Sequence, residues 1–209
     1  MLHKIRFRGV ASAVLLALEC LLGALLLMSS AHADREHVFP AEKTISENGQ
    51  IHRLAFTGKT ERVFLFFSVY AIAHYAEIDG WPSLSPDTVV ADGRRKALQI
   101  RFSRKLGAER IRRELADSLR RNARPEWLAE AAPTIAAFMK AIDRDARDGD
   151  QLVFVWLPGG ELFAEFNGER SFSATNTAFA RLIWSIWFGD DPVCDREELL
   201  AQLTAEDDL

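Results

Sequence analysis

Cysteine is nearly absent: Cys20 and Cys194 are the only two in 209 residues. Cys20 lies in an N-terminal apolar run, so a chain that loses this run keeps one thiol and no internal disulfide, whatever its compartment. Histidine is also sparse. His37, His52 and His74 follow the run with no short ligand spacing and no cysteine beside them, a poor basis for a metal centre. There is no Gly-x-Ser-x-Gly elbow, and Cys194 follows Asp190-Asp191-Pro192, acids that raise a thiol pKa rather than lower it. Gly58-Lys59-Thr60 lacks the glycine that a phosphate loop places five residues earlier, where Arg53 stands. Carboxylates are scattered without an evident acid–base pair. Neither a cofactor nor a metal is expected.

An excess of positive charge is missing too. The net charge is −4, and the first 33 residues carry three bases, Lys4, Arg6 and Arg8, against one acid, Glu19, so their loss makes the remainder more acidic. Nucleic acid is therefore not an expected partner. These residues read as a signal peptide: the bases precede an apolar run from Val10 to Met28, and Ala31-His32-Ala33 offers a small-residue cleavage site. Glu19 argues against a retained membrane span, since an acid near a helix centre costs about 2.5–3.5 kcal/mol. It also stands where a small residue should precede a lipidated Cys20. The expectation is a periplasmic or secreted domain of residues 34–209, with no stable span after cleavage.

After a polar lead-in from Asp34 to Gln50 with a short strand at its end, apolar β-rich segments predict strands near 51–56, 62–76, 97–103, 151–157 and 161–166. Pro158-Gly159-Gly160 and Asn167-Gly168 are hairpin turns, the second leading to a short strand at 169–172. Helices are predicted near 107–122, 126–143 with a break at Pro133, 176–188 with Gly189 as a left-handed cap, and 195–204. The first carries Ile111, Leu115 and Leu119 on one face. Its arginines, together with Arg120, Arg121 and Arg124, alternate with acids and read as a solvated surface. Strands, then helices, then a hairpin pair and more helices give an α+β order, helices layered on one face of a mostly antiparallel sheet.

The 62–76 run is the most informative segment. As one regular strand it puts Arg62, Phe64, Phe66, Ser68, Tyr70, Ile72 and His74 on one face, and both faces are apolar enough to be covered. A cation heading such a run must be paired, solvated or waiting for an anion, because uncompensated burial costs several kcal/mol. Arg62 is thus the leading ligand contact. Tyr70 and His74 have a purely structural alternative, bonding within a filled core.

Gly58-x-Thr60-x-Arg62, followed by Val69-Tyr70-Ala71-Ile72-Ala73-His74-Tyr75, resembles the signature of the chalcone isomerase-like family, particularly its secreted bacterial members. Asp150-Gln151-Leu152 to Leu157-Pro158-Gly159, then Asn167-Gly168, Phe179 and Trp187-Phe188-Gly189-Asp190-Asp191-Pro192-Val193 resemble its closing half. The resemblance implies an open-faced β-sandwich, in which a large antiparallel sheet and a helical layer enclose a ligand cleft. It also implies that Arg62 contacts an anionic or phenolic oxygen. The position matching Tyr70 is threonine in the plant isomerases and tyrosine in plant relatives that bind fatty acids. The isomerases' further catalytic tyrosine has no counterpart, because no tyrosine follows Tyr75. Thr60 replaces a family glycine, and the stretch from Arg62 to Tyr70 is shorter, without a glycine turn. On a straight strand those eight residues span about 26 Å, too far to share one carboxylate.

The expected function is non-catalytic binding of an amphipathic carboxylate such as a fatty acid, its tail along Phe64, Phe66 and Ile72 and its head at Arg62, with Tyr70 beside it. One rival is an intramolecular lyase closing a ring, with Arg62 stabilising a phenolate. The other is a protein-interaction module using surface aromatics such as Trp81 or Trp127.

Overall fold

In the computed structural model, residues 38–77, 85–91 and 93–204 are described. The expected signal peptide and Trp81 lie outside them. Strands β1 (Glu42–Glu47), β2 (Gln50–Phe64), β3 (Phe67–Ala76), β4 (Lys96–Phe102), β5 (Gln151–Trp156), β6 (Glu161–Phe166) and β7 (Glu169–Thr175) form one sheet in sequence order. Every neighbouring pair is antiparallel. Helices α1 (Pro86–Ala91), α2 (Ala108–Asn122), α3 (Pro125–Ala141), α4 (Thr177–Phe188) and α5 (Ala201–Thr204) complete the α+β fold.

The sheet is curled. Lys43 of β1 donates from Nζ to Gln99 Oε1 of β4 at 3.3 Å, although three strand spacings on a flat sheet put their backbones about 14 Å apart. Inside the curl Leu54, Ala73, Tyr75, Ala97, Val153, Val155 and Phe163 form a small core. On the other face Ile72, Leu98, Ile100, Phe154 and Trp156 pack against the helices in the larger one. The alternation of β3 is divided between these two cores, as an interior strand requires.

Helix α4 is apolar nearly all round and correspondingly buried, packed by α1, α2 and α3. Asn176 caps it by accepting from the Phe179 N–H at 2.8 Å. Gly189 ends it, but in extended backbone (φ −74°, ψ −167°) rather than the expected left-handed cap. A glycine is needed there because a Cβ would lie 2.5 Å from the Ser185 carbonyl oxygen and 2.6 Å from Asn122 Oδ1. Helix α3 runs unbroken through Pro133, whose ring lies on its exposed side. Helix α1 carries no strong period and was not expected.

The largest departure concerns the 62–76 run, which is a hairpin rather than one strand. β2 continues from residue 50 to Phe64, Leu65 and Phe66 form the turn, and β3 begins at Phe67. Leu65 takes the positive φ, 57°, that asparagine or glycine takes elsewhere in this chain. The turn was missed because its residues carry no turn chemistry.

His74 belongs to the core. A bulge between Phe56 and Gly58 turns Thr57 inward, where its Oγ1 lies 2.7 Å from His74 Nδ1 and donates to the Leu199 carbonyl at 2.8 Å. Trp184 Nε1 donates to His74 Nε2 at 3.4 Å, which assigns the proton of a neutral ring to Nδ1. Burial, and then the charge of Lys96, hold the imidazole well below its ordinary pKa of 6.5. The unfolded chain therefore takes up a proton below that value while the folded chain does not, and stability falls as the solution is acidified through it. Denaturant unfolding at pH 7 and pH 5.5 should show a loss of about 1 kcal/mol from this group, absent in His74→Leu. Gly58→Ala should lower stability by about 3 kcal/mol in the same assay, since its Cβ would lie 2.5 Å from the Leu199 carbonyl carbon.

Candidate functional site

Gly58, Thr60 and Arg62 alternate along β2 and engage the C-terminal segment in turn. The bare Cα of Gly58 admits the backbone of Glu198–Leu199, Thr60 Oγ1 donates to the Glu198 carboxylate, and Arg62 Nη1 donates to the Val193 carbonyl at 2.7 Å. The segment thereby covers the part of β2 that extends beyond β1.

Across the hairpin, Arg62 is the direct partner of Tyr70. Their separation on an extended chain is thus irrelevant, because the turn folds them together. Parity alone would set Arg62 against Val69. A bulge there adds one residue to β3, so Tyr70 shares the face of Arg62. Tyr70 Oη accepts from Trp187 Nε1 at 3.1 Å. The two segments of the sequence signature therefore meet twice, as Arg62 with Val193 and as Tyr70 with Trp187.

These side chains border a cavity of about 110 Å³ between the sheet and α2. Ile100 and Phe102 of β4, Leu152 and Phe154 of β5, and Ile186 and Trp187 of α4 form its floor, while Ile111, Leu115 and Ser118 of α2 roof it. Arg62, Phe64, Arg110 and Glu114 also line it. A second cavity of about 60 Å³ shares Phe102, Ile111, Leu115 and Leu152 as walls and continues past Phe138 and Phe172 to Arg144.

Donors dominate the polar end. Among the described residues, no carboxylate pairs with Arg62, whose one described hydrogen bond goes to Val193. Burial pushes the Tyr70 phenol far up, Cys194 and Glu114 adding to the rise while the Trp187 bond and Arg62 oppose it. Tyr70 is therefore a neutral donor at pH 7, and no described residue accepts its proton. Burial likewise pushes the Cys194 thiol up to about 12, so it is no nucleophile at pH 7. Glu114, the acid on the wall, lies 3.8 Å from Arg110.

Of the residues singled out in the sequence, Arg62, Phe64 and Tyr70 come together at this cavity. Phe66 and Ile72 do not. Phe66 sits on the hairpin tip, 94% exposed, because the expected strand turns there; Ile72, 0% exposed, is packed into the larger core. Sequence reasoning also missed the roof. Ile111 and Leu115 carry the stripe of an ordinary core helix, and Arg110 was placed on a solvated face, although it borders the cavity. Only their position opposite the hairpin distinguishes them.

No curated protein matches the sequence. In structure the chain is similar to a fatty-acid binding protein of Arabidopsis thaliana, with a TM-score of 0.58 at 14% identity, covering 78% of this chain and 98% of that one. At that identity the likeness concerns the fold. The chalcone isomerase-like family model matches residues 38–203, the whole sheet and its helices. The chain belongs to the chalcone isomerase-like family.

Proposed function

We propose that this protein is a periplasmic, non-catalytic binding protein for an amphipathic carboxylate such as a fatty acid. The observation that carries this reading is the cross-strand pair Arg62–Tyr70, a guanidinium and a neutral phenol at one end of an apolar cavity. Together they offer only N–H and O–H donors, and a carboxylate satisfies both with charge-assisted hydrogen bonds. An alkyl tail beside Phe102, Ile111, Leu115 and Leu152 gains about 0.8 kcal/mol per buried methylene. The tail supplies affinity; the arginine sets direction. The fold shared with a plant protein named for binding fatty acids supports a lipid-like ligand. Export rests on the signal-like N-terminus.

The four residues shared by the two cavities give the reading a length dependence. A short tail fills the space below Tyr70, and a longer one passes Leu115 toward Phe138 and Phe172.

Lipid extracted from the purified protein should contain a fatty acid. Calorimetric titration of Arg62→Ala should show binding weakened by about tenfold to a hundredfold, the loss of one charge-assisted bond. Equal lipid content in the variant and the unaltered protein would sink the proposal. Leu115→Trp, which fills the passage, should retain short saturated acids and lose affinity for long ones across a chain-length series.

A further inference from the structure

Two-residue hairpin turns occur three times in this sheet. Between β1 and β2 the turn is Asn48-Gly49, and between β6 and β7 it is Asn167-Gly168, each with both residues at positive φ. That is the pair such turns favour in water. Between β2 and β3 the same chain uses Leu65-Phe66, with Leu65 at φ 57°. A bulky residue is unfavourable there, and nothing among the described residues compensates, because these side chains belong to neither core: Leu65 is 73% and Phe66 94% exposed. Val63, Phe64 and Phe67 are also about half exposed, so five consecutive apolar side chains project into solvent from one tip. Scattered apolar residues need no account; a contiguous patch does.

Cations collar the tip. The Arg104 guanidinium lies 5.3 Å from the Phe67 ring centroid and Arg110 lies 5.7 Å from that of Phe64. Arg110 has Glu114 at 3.8 Å, whereas no described carboxylate pairs with Arg104. The patch is a convex finger rather than a groove, suited to penetrating a soft layer more than to clasping a second protein. Apolar side chains at the end and arginines at the base match the layering of a bilayer surface, acyl chains beneath anionic headgroups.

We propose that the Val63–Phe67 hairpin tip docks into the headgroup region of an anionic bilayer, its aromatic and aliphatic side chains inserted and Arg104 and Arg110 at the phosphate level. Because Phe64 belongs both to the tip and to the cavity lining, docking brings the Arg62 end of the cavity toward the lipid. Insertion itself needs no ligand, so it stands or falls apart from the binding function proposed above.

The test uses the full chain carrying Phe66→Trp, with the unaltered protein's fluorescence subtracted, mixed with vesicles of equal parts phosphatidylethanolamine and phosphatidylglycerol bearing brominated acyl chains. The position-66 indole should shift to the blue and be quenched, and Arg104→Glu should weaken the effect by about tenfold or more. A second reporter, Val63→Trp, should be quenched with the native turn and lose quenching when Leu65→Asn and Phe66→Gly install the turn pair used elsewhere in the sheet. That exchange should leave the fold at least as stable. The apolar N-terminal run can hold the chain on vesicles by itself, which makes the negative result clear: a vesicle-bound chain whose position-66 indole stays in water overturns the proposal. So does equal quenching in purely zwitterionic vesicles. An indole buried without vesicles also overturns it, assigning the tip to a second copy if concentration-dependent and to the chain's own N-terminus if not.

Discussion

One clamp holds the candidate site together: Arg62 on β2 gripping the Val193 carbonyl, with Tyr70 on β3 receiving the Trp187 N–H. Each bond joins the β2–β3 hairpin to the C-terminal third, and both lie on the cavity rim. The guanidinium can serve two partners at once because its planar fork carries five N–H donors, and the carbonyl engages one nitrogen. A lysine would have to reach both partners from a single nitrogen, without the fork that separates them. The same group thus fixes the architecture and faces the hollow that the architecture creates.

Around the clamp, both faces of the sheet are apolar and covered. Inside the curl the sheet packs on itself, while its outer face meets the helices. The space left beneath α2 follows from helix chemistry: only Ser118 and Leu119 of that helix are fully buried, and Ile111 and Leu115 roof the cavity instead of filling it. Three Phe rings, Phe138, Phe172 and Phe179, pack edge to face deeper in, with centroids 5.2–5.6 Å apart. Rigid aromatics at one end and an amphipathic helix over the other suit a hollow whose roof yields before its base.

Much of this was legible in the residues because strand and helix periods are strong where cores are thick. β4, β5, β6, α2 and α4 lie close to their predicted positions, and Asn167-Gly168 makes the turn its chemistry dictates. The hairpin at Leu65 was not legible, since a turn written in Leu and Phe looks like strand. That single omission misplaced Phe66 on a ligand-facing surface and made Arg62 and Tyr70 seem too far apart. Ile72 was misplaced for a different reason. Alternation identifies its face correctly but says nothing of how close the helices approach at each point along the strand. Tyr70 shares a face with Arg62 only through the bulge at Val69, a one-residue insertion that leaves no mark in composition. The G-x-T-x-R spacing was visible, whereas its use in receiving the segment from Val193 to Leu199 became evident only when that segment was seen against it.

The sheet is a meander in which each strand pairs with its successor, so most of its hydrogen bonds join near neighbours in sequence. The clamp is the opposite kind of contact: Arg62 and Val193 are separated by 131 positions, and Thr57 and Leu199 by 142. Loop closure over such distances comes late in folding, after local hairpins have formed. An emerging chain can therefore assemble its strands while the cavity is still unwalled, before Trp187 and Val193 close onto the β2–β3 hairpin. The cavity is in this way a late product of folding, enclosed only after the strands beneath it have paired.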